Sequence, residues 1–305
     1  MRIALVGLGD IARKAYLPVV GRHPEITPIL CTRNRQTLRE LSERYRIDEA
    51  YTDVSQLLDN APDAVMIHSS THSHSVIAEA ALRRGIAVFV DKPLSDQLDE
   101  SEALVNLALE KNVPLFCGFN RRYAPLYQQA LQREPISVIY QKHRHNLPGD
   151  ARTFVYDDFI HVLDFVRHCA GEMPTDLHVS SYCPSPEQLG SVQVTWHRGG
   201  ASFTAAMNRL NGCTRERLEY SALNESWQVD NLRQGLYSVD NRSEAIGFGD
   251  WEDTLHKRGF VAMLESFLAT VRQGDVDAGY LQGVLDSHRL CEQVVSTVHA
   301  EAQGR

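Results

Sequence analysis

Gly7-Leu8-Gly9-Asp10-Ile11-Ala12 follows a short apolar run and opens a helical pattern. Glycine at 7 permits a tight turn, glycine at 9 lets the backbone come close to a pyrophosphate, and Ala12 keeps helix and strand together. The helix N-terminus at Asp10 and Ile11 then offers free N–H groups and a positive dipole end to phosphate oxygens. The spacing alone is a weak signal, but a strand before it and a helix after it make it strong. The chemistry expected is dinucleotide binding. After the next apolar run comes Cys31-Thr32-Arg33-Asn34. NAD-selective sites place a carboxylate here to bond the ribose 2′-OH. Arg33 would instead attract a 2′-phosphate, with Thr32 and Asn34 adding hydrogen bonds. NADP(H) is therefore expected ahead of NAD(H), which stays possible. The other reading of these residues is an N-cap and a surface arginine opening the next helix.

Two further clusters carry chemistry. His68, His72 and His74 invite a zinc reading, but they sit at and just after the end of the expected strand Ala64–His68, which faces the nicotinamide in a dinucleotide fold. Ser69, Ser70 and His74 are expected near cofactor or substrate, and no metal is expected. Arg121, Arg122, Lys142, Arg144 and Arg152 are either a solvated basic face or a means of recognising a carboxylate or phosphate. The six cysteines are scattered with no CxxC pair, which suits small core residues in a reducing compartment.

The elements that must position these groups fall into two styles. Up to about residue 118, continuous apolar runs (Ile3–Val6, Pro28–Cys31, Ala64–His68, Ala87–Val90, Pro114–Phe116) alternate with helical patterns such as Ser75–Arg84 and Asp99–Lys111. Strands of this kind are buried on both faces, and the alternation predicts a doubly wound parallel sheet, a Rossmann domain over 1–120. Beyond Arg121 the strands alternate apolar and polar, as in Ser191–Trp196, with Gly199-Gly200 as a hairpin signal before Ala201–Met207. Further strands are expected at Ile136–His143, Asp176–Tyr182, Arg217–Leu223 and Ser226–Val229, and closing helices at Phe260–Arg272 and Gly279–Val298. This predicts a mostly antiparallel, open-faced α+β domain over 121–305, with the active cleft between the domains. Its uncovered face is expected to pair subunits as a homodimer or homotetramer. The tail 301–305 is expected to fray.

Val90-Asp91-Lys92-Pro93-Leu94 resembles the Glu-Lys-Pro motif of the glucose–fructose oxidoreductase / inositol dehydrogenase / MocA (Gfo/Idh/MocA) family, with Asp91 for Glu. Gly118-Phe119-Asn120-Arg121-Arg122-Tyr123-Ala124-Pro125 resembles the stretch where that family leaves its Rossmann domain. Asp157-Asp158-Phe159-Ile160-His161-Val162-Leu163-Asp164 resembles its Asp-x-x-x-His-x-x-Asp segment. The motifs occur in the family's order, and the likeness covers essentially the whole chain. His68-Ser69-Ser70-Thr71, Lys142-His143-Arg144 and Arg258-Gly259-Phe260-Val261 look most like the MviM-type subgroup, named as virulence factors.

The resemblance implies that Lys92, Asp157 and His161 are catalytic and that Asp91, Lys92 and Pro93 lie at the cofactor. The residues expected at the substrate are Asn120, Arg121, Arg122, Lys142, Arg144 and Asp158. The chemistry agrees: a histidine suits proton transfer near neutral pH, and a lysine stabilises developing negative charge on the same oxygen. On a helix Asp157, His161 and Asp164 share a face, so Asp157 would orient the imidazole or bind a second hydroxyl. Phe159 stands where the family often has a small residue and would narrow the pocket.

Composition bounds the rest. A net charge of −8 over 305 residues argues against nucleic acid or an anionic membrane as the main partner. No apolar run approaches the roughly 18 residues of a bilayer span, and the layout after Arg2 is not that of a signal peptide. The function expected is a cytoplasmic NAD(P)-dependent dehydrogenase or reductase acting on a small sugar-like or polyol molecule. The alternatives are a non-catalytic dinucleotide-binding sensor and an NAD-dependent lyase or epimerase.

Overall fold

A strand buried on both faces must satisfy its backbone groups through neighbouring strands. The computed structural model describes residues 1–303 and shows a six-stranded, wholly parallel sheet. Its strands are β1 (Arg2–Val6), β2 (Thr27–Cys31), β3 (Ala50–Tyr51), β4 (Ala64–Ile67), β5 (Ala87–Val90) and β6 (Leu115–Cys117). They lie in the order β3-β2-β1-β4-β5-β6. The direction of winding reverses between β1 and β4, which puts a crevice at their carboxyl ends. β4 and β5 are buried throughout, as their Val-, Ile- and Phe-rich composition requires. β3, with two residues, is too short to leave a periodic signal. Asn34 and Asp53 cap the helices Arg35–Tyr45 and Val54–Asp59 by accepting from the Thr37 and Gln56 amides.

The chain divides into two compact units, Met1–Gly118 with Phe260–Leu285, and Phe119–Gly259 with the segment from Asp286. The sequence reading carried both closing helices into the second domain. In the structure the apolar stripe of Phe260–Gln273 finds its cover on the parallel sheet. Phe267 packs 5.3 Å from the Phe89 ring and 5.7 Å from Phe116, and Tyr280 stacks on Phe116 at 5.1 Å. Aromatic rings of this kind bury large area and favour offset or edge contacts.

The second unit holds an eight-stranded sheet. Its strands are β7 (Ser137–His143), β8 (His178–Tyr182), β9 (Ser191–Arg198), β10 (Ala201–Asn208), β11 (Arg215–Ala222), β12 (Glu225–Asp230), β13 (Gln234–Val239) and β14 (Arg242–Gly247). The order is β14-β13-β12-β11-β7-β10-β9-β8, antiparallel except where β10 runs parallel to β7. The β9–β10 hairpin turns at Gly199 and Gly200, both at positive φ, as the Gly-Gly pair implied. β13 and β14 escaped the sequence reading because β13 lacks a clean apolar–polar alternation and β14 is polar and mostly exposed. The helix Ile160–Ala170 packs on β7 and β10, with Phe165 4.9 Å from Tyr127 and 5.4 Å from Tyr140. A wide π-helical turn, Val155–Phe159, leads into it. The outward positions of β7, β9, β10 and β11 include Gln141, Gln193, Thr195, Thr204 and Glu219, with Ile139 an apolar member.

The last helix, Ala278–Gln303, continues through Glu301, which accepts a hydrogen bond from Ser181 at 2.6 Å. The tail is therefore helical further than expected, and residues 304 and 305 lie outside the described residues. No helix among the described residues is long and apolar enough to cross a membrane. The six cysteines form no disulfide among the described residues.

Candidate functional site

The Gly7 amide bonds the Cys31 carbonyl at 3.0 Å, and the His68 amide bonds the Val6 carbonyl at 2.8 Å, so the ends of β1, β2 and β4 are held together. Gly7 has φ +85°, and a Cβ there would lie 2.4 Å from the Ser69 amide nitrogen. Only glycine meets both demands. Beside Gly9 a Cβ would meet nothing within 4 Å. That open space is where the motif calls for a phosphate to approach the backbone. A cavity of about 940 Å³ opens here, lined by Gly7, Gly9, Asp10, Thr32, Arg33, Asn34, Ser69 and Ser70 among others. The structure thus gathers eight of the residues expected at the cofactor into one concave surface of a size that suits a dinucleotide. Ala12 is buried and Ile11 exposed, as a residue holding helix to strand and its outward neighbour should be.

The same cavity includes residues the sequence reading passed over. Arg13 donates to the Leu8 carbonyl at 3.1 Å and to Thr37 Oγ1 at 3.1 Å, which turns a second cation toward the Thr32–Asn34 side. Asp53, at the end of β3, also lines it. Burial, followed by the charge of Asp53, pushes the Cys31 thiol up to about 11. Asn34 spends its side-chain oxygen on its helix cap.

Asp91, Lys92, Pro93 and His74 form a connected group beside the cavity. His74 is buried, with Nδ1 2.9 Å from the Pro93 carbonyl oxygen and Nε2 3.0 Å from that of Ser69. It ties the Ser69–Ser70 turn to the Asp91–Pro93 loop, so its imidazole acts on backbone. Tyr16, unnoticed in the sequence, donates to Asp91 Oδ1 at 2.6 Å and stacks on the His68 ring at 3.9 Å. Burial raises the Asp91 carboxyl above its ordinary value, against the pull of Lys92 and Tyr16. His68 is buried with both ring nitrogens lacking a hydrogen-bond partner. Burial, aided by His74, holds it neutral, down to about 3. The three histidines therefore do different things: one is a clamp, one a neutral stacking ring on the cavity wall, and His72 lies at the rim 3.3 Å from Ser70 Oγ.

In the second unit the expected residues sort by partner. His161 is half-buried, and Arg121 Nη1 lies 3.2 Å from both of its ring nitrogens. A guanidinium only donates, so it can bond only the one ring nitrogen that is unprotonated. Arg121 is held in turn by Glu216 at 3.1 and 3.2 Å and by Asn120 Oδ1 at 2.9 Å, while the Asn120 amide donates to the Arg258 carbonyl. Asp157 is exposed, on the same wide turn that directs Asp158 inward.

Four of these residues are engaged by partners within the fold. Asp158 was expected at substrate, but it is a buried carboxylate that accepts from Lys142, from Arg144 at 2.8 and 3.0 Å, and from Arg209 at 3.4 Å. Burial would raise it, yet these cations hold it well below the carboxylate range. Arg122 is buried against Asp164, which also accepts from Ser287 at 2.7 Å. Asp164, expected on the His161 face, is thereby committed to Arg122. Arg152 pairs with Glu292 at 2.8 Å. Glu216 and Arg209 were missed because only the sheet brings them in: antiparallel pairing sets Glu216 of β11 opposite Lys142 of β7.

A doubly wound sheet with a Gly-x-Gly cavity at its switch point defines a nicotinamide-dinucleotide-dependent oxidoreductase, a dehydrogenase by class. The chain belongs to the Gfo/Idh/MocA family. Residues 1–119 match that oxidoreductase family's NAD-binding Rossmann fold, and residues 125–239 match the YceM-like C-terminal domain. The YceM protein of Salmonella typhimurium is 33% identical over 90% of this chain and 91% of its own. A Gfo/Idh/MocA family oxidoreductase from Vibrio cholerae is 40% identical, with TM-score 0.92 over 98% of this chain and 99% of that one. The dehydrogenase MviM from Clostridium difficile is 26% identical, with TM-score 0.91 over 97% and 99%. The myo-inositol 2-dehydrogenase of Thermotoga maritima is 26% identical over 95% of this chain and 84% of its own.

The Arg121–Glu216 pair yields a stability test. Burial would raise the Glu216 carboxyl, but Arg121 and Lys142 hold it from 4.5 down to about 2. The folded chain then binds fewer protons there than the unfolded chain between those values. Its stabilisation is complete above about 4.5 and is lost as pH falls through about 2. Glu216→Gln should cost about 3–5 kcal/mol at neutral pH by leaving Arg121 buried without its partner. The difference from the parent should shrink as urea unfolding is repeated toward acid. A difference independent of pH would contradict this account.

Proposed function

We propose that this chain transfers hydride between NADP(H) and a hydroxyl or carbonyl carbon of a small polyol or sugar-like substrate. The observation that carries the reading is the cavity at the Gly7–Ala12 turn, with open space beside Gly9 and Arg33 on its wall. The bound nicotinamide supplies the hydride acceptor or donor. His161 takes the hydroxyl proton in oxidation and returns it in reduction, and Arg121 holds its ring. Lys92 hydrogen-bonds the reacting oxygen and stabilises its negative charge. Asp157, exposed on the turn before His161, takes a second hydroxyl or orients the ring. The myo-inositol 2-dehydrogenase relative supports a polyol substrate. Six cysteines without a disulfide among the described residues fit a cytoplasmic setting.

The preference for NADP(H) rests on Arg33 and Arg13, two cations lining the cavity, with Arg33 standing where an NAD-selective site would place a carboxylate. Pairing of subunits through the outer face of the eight-stranded sheet rests on that face being left uncovered by the helix Ile160–Ala170 on the other side.

His161→Asn should preserve fold and dinucleotide affinity and lose about 100- to 10,000-fold in turnover, the usual worth of general acid–base catalysis. Lys92→Met should also lose turnover, and the double variant should fall far short of the product of the two, since both act on one oxygen. Near-parental activity of His161→Asn on an identified substrate would assign the proton to another group. Fluorescence titration should show NADP(H) bound more tightly than NAD(H), and Arg33→Asp should erase or invert the order. Equal affinities in the parent would remove the basis for the preference. Sedimentation at micromolar protein should give a dimer or tetramer, and a monomer alone would refute pairing through the sheet.

A further inference from the structure

Lys142 and Arg144, at the end of β7, and Arg209, just after β10, converge on one carboxylate, Asp158. Lys142, Arg209 and Asp158 are each no more than 6% exposed, while the Arg144 side chain is 36% exposed and reaches solvent. Arg209 stacks over the Phe154 ring at 4.5 Å, and its Nε is buried without a hydrogen-bond partner. The other acids nearby do not restore balance. Glu216 is already engaged by Arg121 and Tyr140, and Asp157, which acts on Arg209, is exposed to water.

Charge removed from water is costly unless it is paired. Three cations on one buried carboxylate leave positive charge in excess, and an orphaned guanidinium N–H with it. The cost registers at Lys142: burial, then the charge of Arg121, lower its ammonium to about 7 despite Asp158. Arg121 also touches His161. The excess therefore lies in the same network as the proposed proton-transfer residue. A neutral polyol supplies hydrogen-bond acceptors but no charge. An anion supplies both, and a guanidinium binds carboxylate or phosphate oxygens in its own plane.

We propose that this cluster recognises an anionic group, a carboxylate or a phosphate, carried by the substrate, with Arg144 at the solvent side and Arg209 and Lys142 behind it. The inference rests on the hydride-transfer reading only in calling the ligand a substrate; the anion site itself is a binding property.

Calorimetric titration of the full-length protein, at constant ionic strength, tests this with D-gluconate against D-sorbitol and with D-glucose 6-phosphate against D-glucose. At least one anion should bind about tenfold or more tightly than its neutral partner, the worth of one charged hydrogen bond. The pair that shows it tells carboxylate from phosphate. Arg144→Gln should abolish that preference, Arg144→Lys should restore part of it, and NADP(H) affinity should be unchanged in both. Arg152→Gln, at a cation already paired with Glu292, should keep the preference. If neither anion is preferred, or if the preference survives Arg144→Gln, the proposal is overturned. Turnover separates the two readings. Oxidation of the neutral compounds with kcat/KM equal to or above that of the anions overturns the anion site and leaves hydride transfer standing. Arg144-dependent anion binding with no turnover of any compound upholds the site as a binding site and overturns its assignment to a substrate that is oxidised or reduced.

Discussion

At Gly7 the backbone leaves β1 so close to the Ser69 backbone that no side chain fits, and it does so at a positive φ. This approach lies just beyond the paired ends of β1 and β4, and the winding of the sheet reverses between those strands. The crevice there is a consequence of connectivity: chains leaving β1 and β4 depart on opposite sides and leave their carboxyl ends uncovered. The cavity, the open space beside Gly9 and the polar wall from Ser69 to Ser73 all lie at that crevice. His74 extends the effect by fastening the Ser69 carbonyl to the Pro93 carbonyl through its two ring nitrogens. The loop that carries Lys92 is thereby tied to the turn that lines the cofactor cavity, and both belong to the same unit.

The second unit depends on a different device. Its sheet is lined with buried charge, and each charge is fixed by another from a distant part of the chain. Arg121 and Glu216 are 95 residues apart, and Arg122 and Asp164 are 42 apart. Pairs of this kind add little net stability compared with an apolar core, but breaking one leaves a costly orphan. Their value here is positional. They hold Arg121 against His161, they lock the helix Ile160–Ala170 through Asp164, and they leave the Asp158 cluster with more cations than its carboxylate can balance. The wide turn at Val155–Phe159 contributes by directing Asp158 inward while Asp157 stays exposed. Such turns recur at functional sites because they displace a side chain from the regular helical face.

Local constraints and long-range ones differ in what a sequence reveals of them. The turn at Gly7–Ala12, the buried strands of the parallel sheet, the Gly199-Gly200 hairpin and the apolar stripe of Phe260–Gln273 were all legible. Each is set by residues a few positions apart, whose spacing repeats the geometry of a helix, strand or turn. The family motifs around Lys92, Asn120 and His161 were legible for the same reason: they are short and contiguous. The partners of the charged residues were not. Arg122 and Asp158 read as substrate groups because nothing nearby in the chain showed that Asp164 and three cations would claim them. Glu216 read as one more residue of an alternating strand until the β11–β7 register set it opposite Lys142. The sequence by itself determined the class of fold, the dinucleotide turn and the identities of the chemically able residues, because backbone geometry and side-chain type are local properties. Tertiary structure alone decided which of those residues are free to act and which are spent on each other, because a buried charge is governed by whatever the folded chain brings within a few ångströms of it.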